Sequence, residues 1–278
     1  MNSIKKHKKF TILIIIILFT SIIFPKSKNV NLKLKSAVES GNVDKIWRVV
    51  RKYGRYINYK SSDGLTLMMY AASKGYTIAI KYMLAHEWID PHLDLKDDSG
   101  KTALMYACAE GHTDIVKLLS CHNFADDSNI KIVETAAKKG YTALGRVNTK
   151  EVTRKKKEGD TFDERLAIRL EKIYVELDTK DNFGKTALIY AIDNGHTDIV
   201  KILLHKGAGI DVKDKSGKTA LMYACAKGHT DIAKILVENG ASIYSKDKSG
   251  KTALIYAEDS GNTEIEEILK SNDSFKKR

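Results

Sequence analysis

Ser216-Gly-Lys-Thr-Ala-Leu-Met-Tyr-Ala224 decides the fold, because the same string stands at Ser99-Gly-Lys-Thr-Ala-Leu-Met-Tyr-Ala107. It returns with one change as Ser249-Gly-Lys-Thr-Ala-Leu-Ile-Tyr-Ala257, and with two as Phe183-Gly-Lys-Thr-Ala-Leu-Ile-Tyr-Ala191. A looser copy is Asp63-Gly-Leu-Thr-Leu-Met-Met-Tyr-Ala71. Eleven residues after each first glycine stands a second, at Gly75, Gly111, Gly195, Gly228 and Gly261. Gly184, Gly217 and Gly250 lie 33 residues apart. A fixed period of this length marks a chain built of stacked supersecondary units.

Each unit reads as turn, helix, turn, helix. Gly100 permits the positive backbone angle of a tight turn. Thr102 can then cap a first helix that carries Leu104, Ala107 and Cys108 on one face. Gly111 stops that helix, and Thr113-Asp114 starts a second, with the acid well placed against the helix dipole. Ile115, Val116, Leu118 and Leu119 supply the second apolar stripe. Two short helices cannot bury their faces alone, so neighbouring units must stack, and small alanines on the first helix allow close approach.

The unit resembles the ankyrin repeat. Asp214-Lys-Ser-Gly217-Lys-Thr-Ala-Leu-Met-Tyr-Ala224, then Gly228-His-Thr-Asp-Ile, then Gly240-Ala241 match that family's pattern in order. Alanine replaces the motif's proline and tyrosine its histidine. Tyr70, Tyr106, Tyr190, Tyr223 and Tyr256 are therefore expected to stack as a ladder, with hydroxyls that need partners wherever they are buried. The resemblance implies an all-α solenoid of helix-turn-helix units with β-turn fingers over residues 33–278. Residues 33–59 read as an N-terminal cap, followed by units at 60–95, 96–125, 126–180, 181–213 and 214–246, with a polar C-terminal cap at 247–278. The unit at 126–180 is degenerate. Asp126-Asp-Ser-Asn129 replaces Asp97-Asp-Ser-Gly100, Ala136-Ala137 and Gly140 keep the register, and an insertion follows over 146–178. That insertion opens with the basic run Arg154–Lys157, and Thr161–Leu177 then reads as a helix behind a capping box.

The N-terminus stands apart from the repeats. Lys5, Lys6, Lys8 and Lys9 precede an apolar run from Phe10 to Phe24. As a helix this run would rise about 22 Å, against roughly 30 Å of hydrocarbon. Residues 1–28 are expected to serve as a cleaved signal peptide or as a transmembrane anchor through residues 10–24. The array is then exported to the periplasm or extracellular space, or held at a membrane. The net charge of +12 includes eight lysines in the first 35 residues, and without them it falls to +4. A mildly basic body of this kind argues against nucleic-acid binding. Cys108 and Cys225 share one repeat position and read as small packing residues, while Cys121 stands alone.

No constellation in the sequence supports catalysis, a cofactor or a metal. Gly-Lys-Thr lacks the upstream glycine of a phosphate-binding loop and recurs as a structural turn. His112, His196 and His229 recur too far apart to share an ion. Asp97-Asp98 is ordinary turn chemistry. The expectation is a monomeric, non-enzymatic protein–protein interaction scaffold. The resemblance places partner binding on the finger tips and the ends of the first helices: Asp98, Ser99, Lys101, Glu110, Asn182, Phe183, Lys185, Asn194, Lys215, Ser216, Lys218, Lys227, Lys248, Ser249 and Lys251. The row Lys101, Lys185, Lys218, Lys251 suits either a solubilising face or an acidic protein partner. Phe183 stands where the sister units hold serine, to pack on the insertion or to serve as a partner hot spot. The alternative is a lipid-binding or enzymatic activity in 146–178, positioned by the repeats.

Overall fold

The computed structural model describes residue 30 and residues 32–53, 56–85, 91–120 and 175–276. These form twelve helices and, among the described residues, no strand. The helices pair in order: α1 (32–39) with α2 (Val43–Tyr53), α3 (Leu67–Lys74) with α4 (Thr77–Ala85), and α5 (Ala103–Ala109) with α6 (Thr113–Leu119). Beyond residue 174 come α7 (Ala187–Asp193) with α8 (Thr197–His205), α9 (Ala220–Lys227) with α10 (Thr230–Glu238), and α11 (Ala253–Ser260) with α12 (Thr263–Lys276). The segments 1–29 and 121–174 lie outside the described residues. The expected signal or anchor falls there, as do Cys121, most of the degenerate unit and its insertion. Among the described residues no helix is long and apolar enough to cross a membrane.

Local chemistry sets the helix ends. Thr66, Thr102 and Thr186 accept a hydrogen bond from the backbone N–H three residues on, at 3.3–3.4 Å. Each thus satisfies one of the donors a helix start leaves open. Gly75, Gly228 and Gly261 end their helices in the left-handed conformation, where glycine carries no side-chain penalty. The stripes read from the sequence are the core: Leu104, Ala107, Cys108, Ile115, Val116 and Leu119 are at most 2% exposed. The first helices α3, α5, α7, α9 and α11 pack on one another more extensively than the second helices do. Ala103, Ala107, Ala187, Ala191, Ala220 and Ala224, all buried, allow that approach.

The order of units carries one surprise. Lys180 Nζ donates to the Lys213 carbonyl at 2.8 Å, and Lys213 Nζ to the Lys246 carbonyl at 3.0 Å, each across 33 residues. Lys96 Nζ makes the same bond to the Lys180 carbonyl at 2.8 Å, but across 84 residues. The finger contacts agree. Asn182 N–H donates to the Ser99 carbonyl just as Lys215 N–H does to Phe183 and Lys248 N–H to Ser216. The unit at 96–120 therefore meets the unit at 181–205 directly, helix α5 against α7. The degenerate unit that the sequence reading places at 126–180 lies, up to residue 174, outside the described residues.

Candidate functional site: the finger line and the inner helices

Four of the described fingers are closed by a leading aspartate, while in the first Ser61 stands at that position and bonds to the Leu65 carbonyl. Asp97 Oδ1 accepts from the N–H groups of Ser99 and Lys101 at 2.9 and 2.7 Å, and Asp214 and Asp247 repeat the pattern. The other carboxylate oxygen accepts from a tyrosine hydroxyl: Tyr106 to Asp97, Tyr190 to Asp181, Tyr223 to Asp214 and Tyr256 to Asp247, at 2.6–2.8 Å. Partial burial works against the charged form of Asp97 and Asp214, yet these donors outweigh it and hold both below the usual carboxylate range. Asp247 is lowered chiefly by the Tyr256 hydroxyl. Burial, then the bond to the carboxylate, pushes the phenols of Tyr106, Tyr190 and Tyr223 upward and that of Tyr256 to about 12.

The expected stack of tyrosines on tyrosines is not what forms. Among the described residues these four rings make no ring–ring pair, because units one repeat apart are too widely spaced for ring stacking. The lysine after each finger glycine fills the gap. Lys101 Nζ lies 5.4 Å from the Tyr106 ring of its own unit and 4.9 Å from Tyr190 of the next. Lys185 bridges Tyr190 and Tyr223 at 5.7 and 4.8 Å, and Lys218 bridges Tyr223 and Tyr256 at 5.7 and 4.7 Å. Lys251 ends the row over Tyr256 at 5.6 Å. Each such contact contributes about 0.5–1 kcal/mol at a partly exposed site.

The lysine row is therefore an element of structure as well as a charge display, and its charge is uneven. Lys185 also pairs with Asp193 at 2.8 Å, and Lys227 of the next unit reaches the same carboxylate at 3.3 Å. Lys251 pairs with Asp259 at 2.7 Å, which raises its pKa. Where Asp193 and Asp259 stand, the units of Lys101 and Lys218 carry Ala109 and Ala226. Among the described residues Lys101 and Lys218 thus meet aromatic rings and no acid.

The other residues expected to bind partners separate into two groups. Asp98, Asn182, Phe183, Lys215, Ser216, Lys248 and Ser249 form one exposed or half-exposed line with Ser99, joined by the finger-to-finger backbone bonds described above. Glu110, Asn194 and Lys227 are exposed at the far ends of the first helices. Asn194 spends one amide hydrogen on the Tyr190 carbonyl. Asp98 is bridged to Lys60 at 3.6 Å, a contact so exposed that it fixes little.

Phe183 differs from its counterparts in chemistry as well as size. Ser99, Ser216 and Ser249 donate their hydroxyls to the finger aspartate at 2.8–3.1 Å. Phe183 cannot, and its side chain is 64% exposed. Two features escaped the sequence reading: the Tyr–Asp bond and the second lysine row at 96, 180, 213 and 246. Their 33-residue recurrence was the visible signal, but which carbonyl or carboxylate lies opposite depends on the stacking.

Comparison with protein-family profiles matches three copies of ankyrin repeats, over residues 34–132, 165–214 and 207–278. A search of curated proteins finds no match.

Proposed function

Since the chain belongs to the ankyrin-repeat family, whose arrays are protein–protein interaction scaffolds and generally non-enzymatic, we propose that its finger line and first helices form the face that takes up a protein partner. The apolar residues 10–24 would export this array or hold it at a membrane. The observation that carries the reading is Phe183. At this one finger the serine hydroxyl that closes the sister turns is given up for an aromatic side chain left in solvent. Folding gains nothing from that exchange, whereas exposed aromatics dominate the energetics of protein interfaces. The alternative activity in 146–178 rests on residues of which only 175–178 are described.

The test separates binding from folding. Phe183→Ser restores the missing donor to Asp181, so its melting temperature should stay within about 2 °C of the parent or rise. Its affinity for the partner should fall by at least about tenfold. A photoreactive phenylalanine analogue at position 183 should give a discrete adduct with the partner in native extract. The same group at Lys234, exposed on α10, should not. Equal labelling from both positions would remove the finger line as the binding face.

A further inference from the structure

The finger line has a polarity. In the finger of the 96–120 unit, Lys96 and Lys101 are balanced by Asp97 and Asp98. In the next, Asn182 stands where Asp98 did and Phe183 beside it. In the last two fingers that position is Lys215 and Lys248, so Lys213, Lys215 and Lys218 share their finger with only one acid, Asp214, and Lys246, Lys248 and Lys251 with only Asp247, while Lys251 also pairs with Asp259 on the following helix. The finger aspartates are already occupied by backbone N–H groups and tyrosine hydroxyls. Lys215 and Lys248 are exposed and, among the described residues, make no ion pair, and behind them Lys218 has only ring partners. One line thus runs from an acid at Asp98, through an exposed aromatic, to two free ammonium groups.

We propose that this line binds an extended acidic protein segment, with an apolar residue against Phe183 and carboxylates at Lys215 and Lys248. The spacing follows from the stack. Neighbouring units sit about 10 Å apart, as packed helices do. An extended strand advances about 3.3 Å per residue, so successive fingers meet every third residue of the ligand. The segment therefore carries an apolar side chain, an acid about three residues on and a second acid about six residues on, in one chain direction or the other. Asp98 repels an acid placed on the opposite side of the apolar anchor, and this fixes the register. The inference rests on the finger line being a protein-binding face, and it adds the chemistry of what is bound.

A random dodecapeptide display library selected against the immobilised full chain tests both levels. The expected outcome is enrichment of peptides with an aromatic or large aliphatic residue spaced three and six positions from Asp or Glu. Their affinity should fall at least tenfold in Lys215→Glu/Lys248→Glu and weaken with salt. Enrichment of neutral or basic peptides that depends on Phe183 would overturn the acidic class and leave the binding face intact. Absence of any enrichment lost in Phe183→Ser would overturn both. Because a basic line beside an aromatic can also hold single-stranded nucleic acid, a labelled oligonucleotide is titrated in parallel. Tighter binding of that probe than of the best peptide would overturn the proposal.

Discussion

At four fingers a single tyrosine hydroxyl is spent on the finger's own aspartate, whereas Tyr70 gives its hydroxyl to Glu39 of the preceding unit. Tyr223→Phe removes the donor to Asp214 and leaves the ring in place for Lys185 and Lys218. The expected loss is about 1 kcal/mol, a fall of about 2–4 °C in melting temperature, read by circular dichroism. The same bonds set a pH window. Asp97, Asp214 and Asp247 are lowered from an ordinary value of 3.8, so their contribution is present above that pH and is lost as pH falls through their folded-state values. Tyr106, Tyr190 and Tyr223 are raised from 10.0, so their contribution is complete below pH 10.0 and is lost as pH rises through the folded-state values. Melting temperature should therefore be level between about pH 5 and 9 and drop on both sides, with the alkaline drop reduced in Tyr223→Phe. The tyrosines' need for partners was legible in the sequence. The lysine sandwich was not, because each ammonium lies between rings of two different units and no single repeat shows that geometry.

Among the elements, the fingers are the most tightly constrained. Gly184 has φ +81° and a Cβ there would lie 2.6 Å from the Lys215 backbone nitrogen, the group that donates to the Phe183 carbonyl. Gly240, at φ +86°, would place its Cβ in open space. Gly184→Ala is expected to cost about 2 kcal/mol or more, since the clash falls on the finger-to-finger bond, and Gly240→Ala about 1 kcal/mol from backbone conformation alone. Urea denaturation of the two variants measures the difference, and equal losses would show that the fingers shift freely. Helix starts, helix ends and core stripes were all readable from Thr102, Gly111 and the Ile115–Leu119 run, because these are local choices of single residues. Phe183 was recognisable as an exception to its column, but its solvent exposure depends on the neighbouring fingers.

Across the whole molecule, the stack is regular where the chain is not. The Lys96–Lys180 and Lys180–Lys213 bonds are one contact made at separations of 84 and 33 residues. Ala136-Ala137 and Gly140 keep the repeat's spacing in the sequence, but they lie outside the described residues. Direct contact between the flanking units was not legible, because it pairs residues 84 positions apart and no single repeat shows which unit lies opposite. Replacing residues 121–174 by His-Lys-Gly, the turn at His205–Gly207, restores the 33-residue spacing. The shortened chain should unfold cooperatively at or above the parent's melting temperature, as followed by circular dichroism, because a shorter closure costs less chain entropy. Failure of that chain to fold would show that the joint between the two units needs the excised residues. The joint between α5 and α7 is thus held by the kind of nearest-neighbour contact that holds the rest of the array. A pull along the stack is therefore carried at this joint by packed first helices and a finger-to-finger backbone bond, as it is at the joints that follow.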